Sequence, residues 1–333
     1  MVVSAPSSVV NNVEAVRLTL YEALKSDPNV VLLGEDIGAR GNVFLITKGF
    51  LEEFGPQRII DTPLAEAAIV GVAVGMAMEG LRPIAEIQFA DFIYPAFNQI
   101  VGEAAKTRYR SNGDYTCPLV IRTPYGGGIR GALSHSVSVE ALFYHVPGLK
   151  IVAPSTPADI KGLLTTAIED PDPVLFLEHK KTYRLIKGEL PAGRYTIPLG
   201  KADVKKQGDD LSVISYGFYI HQALDAAREL EREGISVEVI DLRSIRPMDK
   251  TTILESVKKT RKVLILHEDN KFGGIGAEIS AMLVEEAFFE LDAPIRRLCG
   301  PDVPPMGYAR TLENEYMIST ERMAQAMREL ARF

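Results

Sequence analysis

The stretch Asp61-Thr62-Pro63-Leu64-Ala65-Glu66 places a carboxylate at the mouth of an uncharged, helix-forming run, Ala67 to Met78. Proline suits the first helical position, where its missing N–H is not needed, so Thr62-Pro63 predicts the helix entry and Glu66 its first turn. With no charge before Glu79, the helix is expected to be buried nearly all round. Acidic residues favour first turns through the helix dipole. A carboxyl at a buried helix start also suits a proton or hydrogen-bond task, because burial raises its pKa and makes an unpartnered charge costly. A capping box with Thr62 would need its acid at position 65, which is alanine, and that weakens the purely helical account of Glu66. Gly71 and Gly75, four apart on one face, would admit another helix at close range, from this chain or from a subunit.

A second stretch with chemical potential follows Leu119-Val120-Ile121-Arg122: Thr123-Pro124-Tyr125-Gly126-Gly127-Gly128, then Gly131-Ala132-Leu133-Ser134-His135-Ser136. Three glycines permit a tight turn or a close approach to a ligand. His135, on a glycine-flanked loop, is a candidate acid, base or hydrogen-bond donor near neutral pH. His145, among Leu142-Phe143-Tyr144 and Val146, reads as a core or interface histidine. His179, His221 and His267 have no metal-ligand spacing, and no HExxH, Walker A or GxSxG motif occurs. Lys271-Phe272-Gly273-Gly274-Ile275-Gly276 opens a helix after a strand but lacks G-x-G-x-x-G spacing, so tight packing explains its glycines better than a dinucleotide does.

The elements that must hold these residues alternate. Val30–Leu33, Arg58–Ile60, Pro83–Ile87, Leu119–Arg122, Lys150–Val152 and Val174–Leu177 read as strands, separated by helical patterns that include one long helix from Asp91 to Tyr109. From about His179 to Val204 the pattern lapses into a linker, then restarts with strands near Leu211–Ser215, Val237–Ile240, Val263–Leu266 and Ile295–Arg297. Such alternation predicts an α/β fold of two domains, each a parallel-rich sheet covered by helices on both faces. The expected division is 1–185, a linker at 186–203, and 204–333. Ligands of such sheets sit at the carboxyl ends of the strands. Gly34-Glu35-Asp36, Asp61–Glu66, Gln88–Phe92 and the glycine loop with His135 all lie at predicted strand ends and could serve one site.

Lys+Arg 37 against Asp+Glu 44 gives a net charge of −7, too mild and too evenly spread for a nucleic-acid or anionic-membrane surface. Cys117 and Cys299 are far apart and fit core thiols in a reducing compartment. No leader is visible in Met1–Asn12 and no uncharged run is long enough to span a bilayer, so a cytoplasmic protein is expected.

Leu33–Asp36, Arg58–Glu66, Glu86–Phe92, Arg108–Ser111, Gly131–Ser136, Glu238–Pro247 and Gly273-Gly274, in this order, resemble the β subunit of the heteromeric, thiamine-diphosphate-dependent 2-oxoacid dehydrogenases over nearly the whole chain. The resemblance implies a transketolase-like pyrimidine-binding domain followed by a transketolase-like C-terminal domain. It implies that Glu66 hydrogen-bonds the N1′ ring nitrogen of the cofactor's aminopyrimidine and favours the tautomer that takes up the thiazolium C2 proton, while Leu64, Gln88 and Phe92 line the pyrimidine pocket. It implies that His135 stands in the active-site channel and assists reductive acylation of an incoming lipoyl group. Relatives often carry Gln after His-Ser, where this chain has Val137. A structural potassium ion, held by backbone carbonyls, would map to Val120, Ala167, Ile168, Asp170 and Asp172. A plain helix C-terminus closing on Asp170-Pro171 accounts for the same residues without an ion.

The Gly-Asp-Gly motif and its asparagine partner, which carry the diphosphate's metal in single-chain relatives, are missing: Asn112-Gly113-Asp114 and Gly208-Asp209-Asp210 lack that form. The resemblance therefore implies that magnesium and diphosphate are held by a separate alpha subunit in a heterotetramer of two alpha and two beta chains, and that the C-terminal domain binds the dihydrolipoyl acyltransferase core. The substrate leans to branched-chain 2-oxo acids over pyruvate or acetoin. A non-catalytic scaffold of the same fold is opposed by the presence of both Glu66 and His135, and a stand-alone transketolase-like enzyme by the missing motif.

Overall fold

The computed structural model describes residues 8–333; the start of the predicted first domain, with most of the stretch read for a leader, lies outside the described residues. The chain forms two compact units. One contains the described residues up to Tyr125 together with Leu142–Leu199, and the other contains Gly126–Ala141 with Gly200–Phe333. The loop carrying His135 thus groups with the second unit.

The strands are β1 (Ser8–Asn11), β2 (Val30–Glu35), β3 (Ile59–Thr62), β4 (Arg82–Glu86), β5 (Val120–Tyr125), β6 (Lys150–Val152), β7 (Val174–His179), β8 (Lys187–Leu190), β9 (Asp203–Lys206), β10 (Leu211–Ser215), β11 (Val237–Asp241), β12 (Ser244–Arg246), β13 (Val263–Asn270) and β14 (Arg296–Gly300). In the first unit the parallel order is β6-β7-β5-β4-β2-β3. The two inner strands β5 and β7 are buried along their whole length, as a sheet covered on both faces requires. Helices Asn12–Ser26 and Pro157–Glu169 pack against each other and share a core with Leu32, Ile84, Val120 and Phe176. Asn11 caps the first of these with a reciprocal capping box through Glu14, and Thr156 caps the second. In the second unit the order is β14-β13-β10-β11-β9, parallel except for β9. Helices Tyr219–Glu231 and Thr320–Ala331 lie together and bury Leu230, Met323 and Met327.

Several expectations are corrected. The span from Asp91 to Tyr109 is a chain of short 3-10, π and α turns, Ala90–Phe92, Tyr94–Ala96, Gln99–Glu103, Ala104–Lys106 and Thr107–Arg110. Pro95 supplies no N–H to a continuous ladder. The predicted linker contains β8, which pairs antiparallel with β1. The helix after Asp61 begins at Glu66, with Ala65 rather than Thr62 at its N-cap, because Thr62 is the last residue of β3. Nor is that helix buried all round: Ile69, Val70, Ala73, Val74 and Ala77 face the core, while Val72 is 51% exposed. His145 is exposed, not a core residue. Cys117 and Cys299 are free, buried thiols, pushed up to about 12 by burial.

Candidate active site

Parallel register brings the carboxyl ends of β2, β3 and β4 level, pairing Gly34 with both Asp61 and Glu86, and Glu35 with Thr62. The strands can pair this closely only because Gly34 lacks a side chain: a Cβ there would stand 2.8 Å from the Glu86 carbonyl oxygen. Gly38 likewise lies flush against the Asp61 carboxylate, which a Cβ would meet at 2.8 Å. The result is an array of acids at the strand ends. Burial raises the Glu35 carboxyl above the usual range, and the negative charges of Asp36, Glu66 and Asp61 add to it against the opposing Arg40.

Glu66 opens its helix half-buried and has no hydrogen-bond or ion-pair partner among the described residues. Leu64, two residues earlier, is 70% exposed and presents an apolar surface beside it. Gln88 follows β4, and its Nε2 lies 3.4 Å from Asp36 Oδ2, which ties the β4 loop to the β2 loop. Phe92 is held edge-on to Phe89, with centroids 5.9 Å apart, and Phe89 is braced in turn by Phe44. The first unit therefore gathers Glu66 and Gln88 with Glu35, Asp36 and Asp61 through their strand ends and charges, and fixes Phe92 on the loop that continues from Gln88.

Beneath the strand ends lies a network the sequence reading missed. Arg122 is fully buried; it donates to Glu178 through Nε and Nη2, both at 2.8 Å, and to Glu86 through Nη1. Asn42 donates to Glu86 at 2.9 Å, and the Tyr183 hydroxyl to Glu178 at 2.6 Å. Burial pulls the guanidinium pKa down, but the two carboxylates more than offset it. Burial pushes the Glu86 carboxyl up against the pull of Arg122. An arginine directly after Leu119-Val120-Ile121 in a buried strand was the available signal, because such a charge must be paired.

His135 closes a 3-10 turn, Ala132–Ser134, in the loop of the second unit. A Cβ on Gly131 would come within 2.4 Å of the His135 carbonyl oxygen, so the histidine's backbone folds directly over that glycine. His267, by contrast, is a packing residue: its Nε2 accepts from the Gly276 N–H at 3.2 Å, its Nδ1 lies 3.0 Å from the Asp269 carbonyl, and burial lowers its pKa to about 4. Gly274 and Gly276 make room for that ring.

The residues mapped to potassium lie together at one end of the first unit. Val120 stands in β5 between Ile84 and Val174. The Ile168 carbonyl accepts from Arg82 at 2.8 Å, and position 171, which would donate to Ala167 in a continued helix, is proline. Asp170 is paired with Lys150 at 2.6 Å, and Asp172 with Arg108 at 2.5 Å. Lys150 already balances negative charge there, and among the described residues no cluster of His, Cys, Asp and Glu suits a metal ion.

Residues 8–186 match the family model described as "Transketolase, pyrimidine binding domain", and residues 200–323 match "Transketolase, C-terminal domain". The chain is 57% identical to the 2-oxoisovalerate dehydrogenase subunit beta of Bacillus subtilis (strain 168), over 98% of this chain and 100% of the relative. It is 48% identical to the pyruvate dehydrogenase E1 component subunit beta of Acholeplasma laidlawii, over 98% of this chain and 99% of that one. The chain belongs to the 2-oxoacid dehydrogenase β subunits. A solved structure titled "Split gene transketolase, inactive beta4 tetramer" superposes with a TM-score of 0.76 over 97% of this chain and 98% of that chain; at 24% identity it speaks to the fold alone. For a β subunit of this family, the two-unit architecture and the acids at the strand ends of the pyrimidine-type domain are the relevant features. Among the described residues no helix is long and apolar enough to cross a membrane.

Proposed function

We propose that this chain is the β subunit of a thiamine-diphosphate-dependent 2-oxoacid dehydrogenase that decarboxylates a branched-chain 2-oxo acid and passes the acyl group to lipoyl groups of a dihydrolipoyl acyltransferase core. The single observation that carries the reading is Glu66: a half-buried carboxylate with no hydrogen-bond or ion-pair partner among the described residues, at a helix mouth among acids and beside exposed Leu64. A buried Thr62 Oγ1 and a buried Gln99 Oε1, neither with a hydrogen-bond partner, flank the same helix, as expected where a polar ring is to be received. The residues present fit an aminopyrimidine. Bound thiamine diphosphate supplies the nucleophilic thiazolium carbon and the electron sink that decarboxylation needs.

In this reading the Glu66 carboxyl would hydrogen-bond the ring nitrogen N1′ and favour the tautomer that takes up the thiazolium C2 proton. Leu64 and Phe92 would line the pyrimidine pocket, and exclusion of water once a partner covers exposed Leu64 would strengthen that bond. Gln88, restrained by Asp36, orients the ring edge. His135 donates to or takes a proton from a lipoyl sulfur during acyl transfer. Magnesium and the diphosphate fall to an alpha subunit, in a heterotetramer of two alpha and two beta chains. Potassium binding by the backbone carbonyls of Val120, Ala167, Ile168, Asp170 and Asp172 is part of the proposal, as are the functional boundaries 1–185 and 204–333 and a cytoplasmic location. The branched-chain preference is supported by the 57% identity to the 2-oxoisovalerate dehydrogenase subunit.

The deciding experiment compares Glu66→Ala and His135→Ala in the co-expressed complex. Glu66→Ala is expected to abolish 2-oxo acid consumption while leaving assembly intact; His135→Ala is expected to depress lipoyl acylation by more than decarboxylation read with an artificial electron acceptor. Normal turnover by Glu66→Ala sinks the cofactor assignment.

A further inference from the structure

The loop that carries His135 is stapled by two acids to which neither sequence motif nor family resemblance gave a role. At its start the Gly127 N–H donates to Glu268 Oε1 at 2.6 Å, and the N–H groups of Gly128 and Arg130 both donate to Glu313 Oε1, at 3.1 and 2.8 Å. Gly128 and Arg130 have φ of +79° and +60°, so their N–H groups turn toward one side, and a concave set of amides of this kind attracts an anion. Here the anion is a side chain. Glu268 projects from β13 and Glu313 from the helix Arg310–Tyr316, and both are more than nine-tenths buried. Charge-assisted bonds from backbone N–H to a buried carboxylate are among the stronger and more directional available. The clamp reaches His135 in one step, because Arg130 is followed by Gly131, the residue over which the His135 backbone is folded. Gly127 has no freedom on its other side, where a Cβ would strike Met306.

We propose that Glu313, with Glu268, is a positioning residue for His135: the two carboxylates hold the Gly127–Arg130 amides in the geometry that sets the imidazole for acyl transfer. The proposal rests on the reading of His135 given above. Neither acid touches the reacting atoms. A displacement of about 1 Å at a group of this kind costs on the order of a hundredfold in rate.

The test uses the alpha–beta complex with Glu313→Ala and Glu313→Gln, in two measurements. Amide hydrogen exchange across residues 126–136 is expected to rise on the order of tenfold or more in Glu313→Ala, and less in Glu313→Gln, whose amide oxygen still accepts but carries no charge. The kcat/KM for acylation of a free lipoyl domain is expected to fall tenfold to a hundredfold in Glu313→Ala, on the order set by such displacements. Ferricyanide-coupled 2-oxo acid consumption is expected to fall less, and Glu313→Gln to recover much of the acylation. Unchanged exchange in the loop overturns the proposal, as does an equal loss in both reactions with no recovery by glutamine. If the loop loosens and yet neither Glu313→Ala nor His135→Ala separates the two reactions, the clamp stands and the reading of His135 falls. Should Glu313→Ala fail to assemble, Glu268→Ala, which removes the acceptor of the Gly127 N–H, decides in its place: loop exchange at the wild-type level together with wild-type acylation overturns the proposal.

Discussion

Two buried groups make opposite demands on pH and on substitution. Glu140 is fully buried with Tyr216 donating to it at 2.7 Å; burial first, then the nearby charges of Asp269 and Glu268, push its carboxyl up to about 8. In the unfolded chain the same group ionises near its ordinary value of 4.5. Between these values the folded chain binds the proton and the unfolded chain does not, so this group makes stability fall as pH rises from about 4.5 to about 8, by up to about 1.4 kcal/mol per unit. Glu140→Gln keeps an acceptor for Tyr216 and has no proton to lose. Its stability relative to wild type should therefore climb through that window, measured as the difference in denaturant midpoint at pH 5.5 and pH 8; a constant difference would contradict the assignment. Arg122 is the reverse case, a charge that two buried carboxylates depend on. Arg122→Met leaves Glu86 and Glu178 without their cation and should cost about 3–5 kcal/mol, read from the same unfolding curves.

At the scale of elements, the helix Glu66–Met78 presents two faces of equal apolarity and only one of them is used. A Cβ on Gly71 would meet Gln99 at 3.5 Å, but among the described residues outside the helix nothing comes within 4 Å of a Cβ on Gly75, and Val72 and Met78 are exposed. Gly75→Leu should therefore leave the β chain as stable as before, or raise its stability by up to about 1 kcal/mol through helix propensity. It should weaken association with the alpha subunit, which sedimentation of the mixed chains would register. Undiminished association would remove this face from the subunit contact. The same helix marks what was legible in the sequence. An uncharged run at helical length identifies the element and its acidic start, but it cannot say whether the second apolar face meets this chain or another, because both coverings select the same residues. The strands were readable because parallel strands buried on both faces are continuous apolar runs. The turns from Ala90 to Arg110 were not, since helix-forming residues there follow short 3-10 and π turns, one of them opened by Pro95, instead of one continuous helix. Strand β8 was hidden because its sequence, Lys-Gly-Glu-Leu, has no β signature and gains its place only by pairing with β1. Among the candidate site residues, Glu66 and His135 stand out in the sequence by type and setting. Glu268 and Glu313 do not, because their partners are backbone N–H groups more than 100 residues away, which leave no side-chain pattern.

For the whole molecule the question is how much of a cofactor site one chain can supply. In the proposed reading the first unit offers the acids and part of the lining for a pyrimidine, and the sequence carries no Gly-Asp-Gly motif to hold a metal on a diphosphate. It also leaves Leu64 at 70%, Tyr94 at 47% and Phe97 at 40% exposure on the loops that bracket the site. Large apolar side chains exposed around a polar centre mark a surface that a partner is to cover. A pyrimidine pocket open to water on that side gains little from the Glu66 hydrogen bond, since water competes for both partners and the local dielectric stays high. Covering the surface would remove the water, and the same partner would bring the cation for the diphosphate. Cofactor binding and subunit association are then thermodynamically linked: each must strengthen the other by the same factor. Calorimetry with thiamine diphosphate and magnesium should detect no tight binding to the β chain alone, tight binding to the alpha–beta mixture, and, reciprocally, tighter association of the two chains when cofactor is present. Under the proposed role of Glu66, in which its carboxylate acts on the bound ring, Glu66→Ala should reduce that reciprocal gain while leaving cofactor-free association unchanged. Tight binding by the isolated chain would overturn the shared site and make a self-sufficient transketolase-like enzyme the better reading.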